Sequence, residues 1–221
     1  KQVFFNGAHD DWALDTIFSV DGSHLVSVGR DMTTKLYHVA TQRFIDNVTS
    51  ITPGALKGGI AAITRHPERD EVLVGGSDGV PRIYRMHRET KRVIGDDANL
   101  IRRYPAMRGR IYDVDFSPDG KTIVCGSSLD GEGQIFTYAS DYDSKLTDKF
   151  KKVLATRPQQ YTAEQRKTVE DYVTKGAEVI SRTEVPSGIY AVRFAPNGKT
   201  IVAAGSDGKL RLIDPKNGKV I

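Results

Sequence analysis

Ile189-Tyr190-Ala191-Val192-Arg193-Phe194-Ala195-Pro196-Asn197-Gly198 leads into Thr200-Ile201-Val202-Ala203-Ala204-Gly205-Ser206-Asp207-Gly208 and then Leu210-Arg211-Leu212-Ile213. Apolar residues alternate with polar or small ones, the period of a strand with one face buried. Asn-Gly and Asp-Gly punctuate the segment, as tight hairpins between antiparallel strands do.

Working outward, the same order returns three times. Leu14-Asp15-Thr16-Ile17-Phe18 precedes Leu25-Val26-Ser27-Val28-Gly29-Arg30-Asp31 and Thr34-Lys35-Leu36-Tyr37. Ile60-Ala61-Ala62-Ile63-Thr64 precedes Val72-Leu73-Val74-Gly75-Gly76-Ser77-Asp78 and Arg82-Ile83-Tyr84. Ile111-Tyr112-Asp113-Val114-Asp115-Phe116-Ser117-Pro118-Asp119-Gly120 precedes Thr122-Ile123-Val124-Cys125-Gly126-Ser127-Ser128-Leu129-Asp130 and Gln134-Ile135-Phe136. The turn aspartates Asp31, Asp78, Asp130 and Asp207 stand 47, 52 and 77 positions apart. The first two spacings lie near the ~40–45 of a four-stranded propeller blade. One such sheet cannot bury both faces, so the repeats are expected to stack radially.

Phe116-Ser-Pro-Asp-Gly120, Phe194-Ala-Pro-Asn-Gly198 and Gly205-Ser-Asp-Gly208 resemble the WD-repeat family of β-propellers. The resemblance implies an all-β propeller of about four blades, part of a larger ring, with a helical insertion after the third. Blades are expected at about 9–48, 56–95, 107–140 and 185–221. Residues 1–8 would form the outer strand of a neighbouring or closing blade. The family's Gly-x-His element occurs once, at Gly7-Ala8-His9, and no repeat ends in Trp-Asp. Tyr37, Tyr84 and Ile213 hold the Trp position, and Asp214 holds the Asp position in the last copy. His9 and Asp31 are therefore the expected pair of a partial His–Asp–Ser/Thr–Trp network. Pro81 predicts an irregular strand start in the second copy.

The insertion is expected over 141–182. Leu146, Phe150, Val153 and Leu154 have the spacing of an amphipathic helix, ended by Arg157-Pro158. Thr162 to Gln165 fits a capping box, and Val169, Tyr172 and Val173 side a second helix stopped at Gly176.

The chain has 221 residues and a formal net charge of +4, too little to argue for nucleic acid or a membrane surface. No apolar run reaches the ~18 residues of a membrane helix. The single cysteine, Cys125, excludes an internal disulfide, a Cys-based zinc site and c-type haem attachment within these residues; it reads as a buried small hydrophobe. The chain begins Lys1-Gln2-Val3 without Met and is read as a fragment of a longer propeller. Two copies completing an eight-bladed ring, or four blades closed by residues 1–5, are the other options.

No catalytic residue, cofactor site or metal site is assigned. The histidines lack His-x-x-x-His spacing, and no nucleophile elbow or phosphate loop is present. Asp10, Asp11 and Asp15 near His9, and Asp141, Asp143 and Asp148 in the insertion, read as turn chemistry rather than cation ligands. The four turn aspartates read as structural, tying down backbone donors. Arg102, Arg103, Arg108 and Arg110 crowd around Tyr104 on the connection entering the third blade. Trp12, Arg30, Tyr104, Arg108 and Arg110 are the candidate partner surface, being interface-anchoring types on loops of one end. The expected function is a non-catalytic scaffold for a protein partner, without nucleic acid or membrane. A propeller hydrolase or lactonase with an axial metal is the alternative, and Asp15, Asp113 and Asp115 are its inner-strand carboxylates. Nucleic-acid binding through the arginine cluster is a third reading. The low-Trp repeats and Asp96-Asp97-Ala98-Asn99-Leu100-Ile101-Arg102-Arg103 are also similar to WD-repeat segments of large bacterial, planctomycete-type proteins. There the propeller accompanies a c-type cytochrome domain. That likeness implies further blades or a haem domain in the same parent protein and an extracytoplasmic setting.

Overall fold

The computed structural model describes residues 4–52 and 56–221. Four antiparallel sheets follow one another along the chain. The first holds β1 (Ala13–Phe18), β2 (His24–Gly29), β3 (Thr34–His38) and β4 (Arg43–Asn47) in sequence order. The second holds β5 (Ile60–Arg65), β6 (Glu71–Gly76), β7 (Arg82–Arg85) and β8 (Leu100–Arg103). The third holds β9 (Arg110–Phe116), β10 (Thr122–Leu129) and β11 (Glu132–Ala139). It is completed by β12 (Val179–Val185), beyond helices α1 (Asp148–Leu154) and α2 (Ala163–Thr174). The fourth holds β13 (Ile189–Phe194), β14 (Ile201–Gly205) and β15 (Leu210–Ile213), with an isolated bridge from Ile213 to Val220.

Neighbouring sheets pack face to face. Val26, Val28 and Leu36 of the first meet Ile60, Ile63, Val72 and Val74 of the second. Leu73, Ile83 and Ile101 of the second meet Ile111, Val114 and Ile123 of the third. Val124 and Ile135 of the third meet Ile189, Val192 and Ile201 of the fourth. Inner strands β1, β5, β9 and β13 touch in that order, and among the described residues the first and fourth sheets have no comparable contact. This is the propeller arrangement, open between its ends.

The repeat is preserved in its irregularities. Each inner strand slips register near its start, between Ala13 and Asp15, Ile60 and Ala62, Ile111 and Asp113, and Ile189 and Ala191. A bulge at one fixed position bends every blade alike.

Several expected limits differ. The second blade runs past residue 95, because Leu100–Arg103 is its outer strand rather than a connector. The third runs past 140, because the helical insertion lies between its third and fourth strands, and residues 179–182 belong to β12. Residues 4–8 form no strand, and residues 1–3 lie outside the described residues. Pro81 stands just before β7, and its carbonyl accepts the Tyr104 N–H at 3.0 Å.

The insertion folds as its sequence requires. Thr147 caps α1, and Thr162 with Gln165 forms the capping box of α2. Phe150 and Leu154 pack with Ala98, Val169 and Tyr172. The hairpin leaves the third sheet but lies against β8 of the second. Arg102 is sandwiched there, its guanidinium 4.8 Å from the Tyr142 ring and 5.3 Å from that of Tyr172. It donates to the Tyr172 carbonyl at 2.8 Å. Tyr142 donates to Glu71 at 2.9 Å, and Arg103 pairs with Glu170.

Candidate functional site

The site is built on one end of the sheets, where the hairpins between second and third strands meet the segments that enter each inner strand. In the first sheet, His9 turns Nδ1 toward both Asp31 carboxylate oxygens at 3.0 Å. Its Nε2 lies 2.6 Å from the Ser27 hydroxyl oxygen, so the ring bridges the turn carboxylate and the second strand. Ser27 lies 3.3 Å from the Tyr37 hydroxyl. Asp31 also accepts from the Thr33 hydroxyl at 2.8 Å and the Asp10 N–H at 3.1 Å. Burial opposes its ionisation, but these hydrogen bonds outweigh it and hold the carboxyl below its ordinary range. Tyr37 thus stands where the family carries Trp, and Ser27 is a member that motif reading alone did not name.

The other turn aspartates do related work with different partners. Asp78 accepts the Val80 N–H at 3.0 Å and pairs with Arg82 at 2.8 Å. Asp207 accepts the Lys209 N–H at 3.2 Å and holds Arg211 by both oxygens. The Arg211 pairing, above all, keeps Asp207 well below the usual carboxylate range. Asp130 is not equivalent. In the third sheet β10 and β11 pair out to Leu129 and Glu132, so Asp130-Gly131 is a two-residue turn with φ of 51° and 83°.

The inner-strand carboxylates also have structural partners. Asp15 accepts the Ile63 N–H at 3.0 Å, and Asp115 accepts the Phe194 N–H at 2.8 Å. Asp113 takes the Val192 N–H and the Arg193 guanidinium. Each reaches across to the next sheet. Asp11 accepts the Trp12 N–H at 2.7 Å, and Asp143 the Lys145 N–H at 2.9 Å.

Trp12 and Arg30 come together. The Arg30 guanidinium lies 5.0 Å from the Trp12 ring and is held by Asp11 at 3.5 Å, while Trp12 stays 67% exposed. On the same end, in the third sheet, Arg108 pairs with Glu132, and Arg110 lies 5.9 Å from the Tyr112 ring. Tyr112 in turn meets Tyr190 of the fourth sheet edge-on at 4.8 Å. Tyr104 does not join this surface. It is 3% exposed and packs on Tyr138 at 5.2 Å, and burial pushes its hydroxyl pKa up. An aromatic leaving β8 is drawn into the core between sheets two and three. Arg102 and Arg103 are likewise turned to the insertion. The arginine cluster of the sequence is therefore two groups: one that seats the helices, and one at the sheet ends. Cys125 is fully buried.

A family model described as "WD domain, G-beta repeat" matches residues 1–38, 98–136 and 179–214. The second match starts just before β8 and the third opens on β12, so both begin with an outer strand and run into the next sheet. No curated protein matches the chain. The matched segments make up just over half of the chain, and with the four sheets they show that it belongs to the WD-repeat family.

Proposed function

We propose that the protein is a non-catalytic interaction scaffold that takes a protein partner on the end of the sheets bearing Trp12, Arg30, Arg108 and Arg110. Membership of the WD-repeat family supports a protein-interaction domain at the coarse level. The exposed Trp12–Arg30 stack carries the finer reading. A large aromatic held rigid by a cation loses little freedom on binding, and Trp and Arg dominate interface energetics. Arg108 is balanced by Glu132, and Arg110 beside Tyr112 adds a cation to the same end, which suits a carboxylate of a peptide segment.

Peptides selected by phage display against the whole chain are titrated onto the wild type, Trp12→Ala and Arg30→Ala. Roughly tenfold or greater weakening is expected for each variant, as for a truncated anchor. Melting should be unchanged, since both side chains lie at the surface. Selected ligands that bind the variants as tightly as the wild type overturn the reading.

A further inference from the structure

Three of the five histidines meet at one place, the junction of the first and second sheets. His24 opens β2 and His38 closes β3, and the two face each other across the ladder. By strand alternation they share a face with Val26, Val28 and Leu36, the residues that pack on the second sheet. His87 follows β7 of that second sheet, beside the buried Met86. The His24 ring stands edge-on to both partners, 5.3 Å from the His38 ring and 4.8 Å from that of His87. The imidazoles thus end the apolar stripe that holds these two sheets together.

The neighbouring sheets carry different chemistry on this rung. Leu25–Tyr37, Val72–Tyr84 and Ile123–Tyr138 are equivalent rungs. The next rung is His24–His38 in the first sheet, Glu71–Arg85 in the second and Thr122–Ala139 in the third. A glutamate and an arginine keep their charges around neutral pH, and threonine and alanine have none to change. Of the three, only the first sheet places groups there that change charge near neutrality. The junction of the second and third sheets holds one imidazole, His66, against the Phe116 ring at 5.3 Å.

The surroundings favour neutral rings. His38 Nδ1 accepts the Thr41 N–H at 3.3 Å, a contact that a protonated Nδ1 could not accept. The carboxylates that face His24 are Asp21, in the turn before β2, and Asp70, in the turn before β6. Both are already engaged. Asp21 accepts from the Ser19 and Ser23 hydroxyls at 2.7 Å. Asp70 accepts the Val20 N–H at 2.8 Å and lies 3.6 Å from His87 Nε2. Arg88, next to His87, pairs with Asp46 and Asp96. Burial above all, then His87 and His38, hold the His24 imidazole below its ordinary value of 6.5. The stability it contributes is complete above about 6.5 and is lost as pH falls below that value.

We propose that His24, His38 and His87 form an acid-sensitive latch between the first and second sheets. Protons taken up from solvent set like charges side by side at the end of the apolar stripe, and β2 and β3 loosen from the second sheet.

Amide hydrogen exchange on the full chain, corrected for its intrinsic pH dependence, tests the latch. His24→Phe keeps a ring in place without a titrating nitrogen. Between about pH 7.5 and about pH 5.5, β2 and β3 of the wild type should lose roughly tenfold or more of their protection relative to the same strands of His24→Phe, as adjacent like charges require. No such difference should arise at β10 and β11. Asp97, whose carboxyl accepts the Ser50 N–H across the same junction, titrates in the opposite sense, and comparing variants removes its contribution. His87→Phe alters an exposed ring and takes the place of His24→Phe should that variant fail to fold, with the same direction expected. Parallel profiles for wild type and the folded variant, or an equal difference at β10 and β11, would overturn the latch.

Discussion

Asp113 of the third sheet accepts the backbone N–H of Val192 in the fourth at 2.8 Å. The contact is repeated two junctions earlier, between Asp15 of the first sheet and Ile63 of the second. The first and second blades, and the third and fourth, are thus tied through polar backbone groups as well as through apolar faces. Asp113→Ala leaves the Val192 N–H buried without a partner and should cost about 1–3 kcal/mol in urea unfolding. Asp113→Asn keeps an acceptor and should cost less. Equal stabilities for wild type and Asp113→Ala would refute the tether.

Gly126 holds its place through contact distance. Gly126→Ala sets a methyl 2.7 Å from Ile189 Cγ2 and 2.9 Å from Val192 Cγ1. A loss of roughly 1–3 kcal/mol is expected from overpacking. Adding Ile189→Val should recover part of it in a double-mutant cycle, and strict additivity would count against the clash.

The two arginines that face the insertion should differ sharply. Arg102 is 4% exposed and lies between two tyrosine rings. Arg103 pairs with Glu170 at the surface. Arg102→Ala should destabilise by about 2 kcal/mol or more through lost packing and an emptied cation–π site. Arg103→Ala should stay within ~0.5 kcal/mol, as an exposed ion pair does. Matching losses would show that the ring sandwich does not anchor the helices.

Asp97 carries a pH signature. Burial raises its carboxyl to about 6, against a backbone hydrogen bond from Ser50 at 3.1 Å that favours the charged form. Its folded-state pKa lies above the unfolded value, so the folded chain holds the extra proton between about 4 and 6. Stability contributed by this group therefore falls as pH rises through that window. Asp97→Asn should be more stable than wild type by about 1–2 kcal/mol at pH 8. The advantage should shrink toward pH 4.5, and a pH-independent difference would contradict the assignment.

Four repeats were legible because strand alternation and hairpin glycines survive in every copy, whatever the loops do. His9 and Asp31 were legible for the same reason. What escaped is local chemistry overruled by distant contacts. Leu100–Arg103 reads as a basic connector, yet Arg102 is covered by tyrosines from a segment far along the chain and Arg103 pairs with a glutamate of the same segment. Tyr104 reads as a surface anchor until Tyr138 is placed opposite it. Asp130 shares the Asp-Gly spelling of the other turns, but one longer ladder changes its role. Ser27 is an ordinary strand residue until His9 folds onto it.

The location of β12 also bears on the order of assembly. During synthesis the third blade remains a three-stranded remnant, with one flank of β11 unpaired, until the residues up to Val185 have emerged. Helices α1 and α2 appear in that interval. By seating on β8 they hold the returning chain near its berth and shorten the loop that β12 must close. The helical hairpin is in this sense a tether that lets a distant strand find its neighbour.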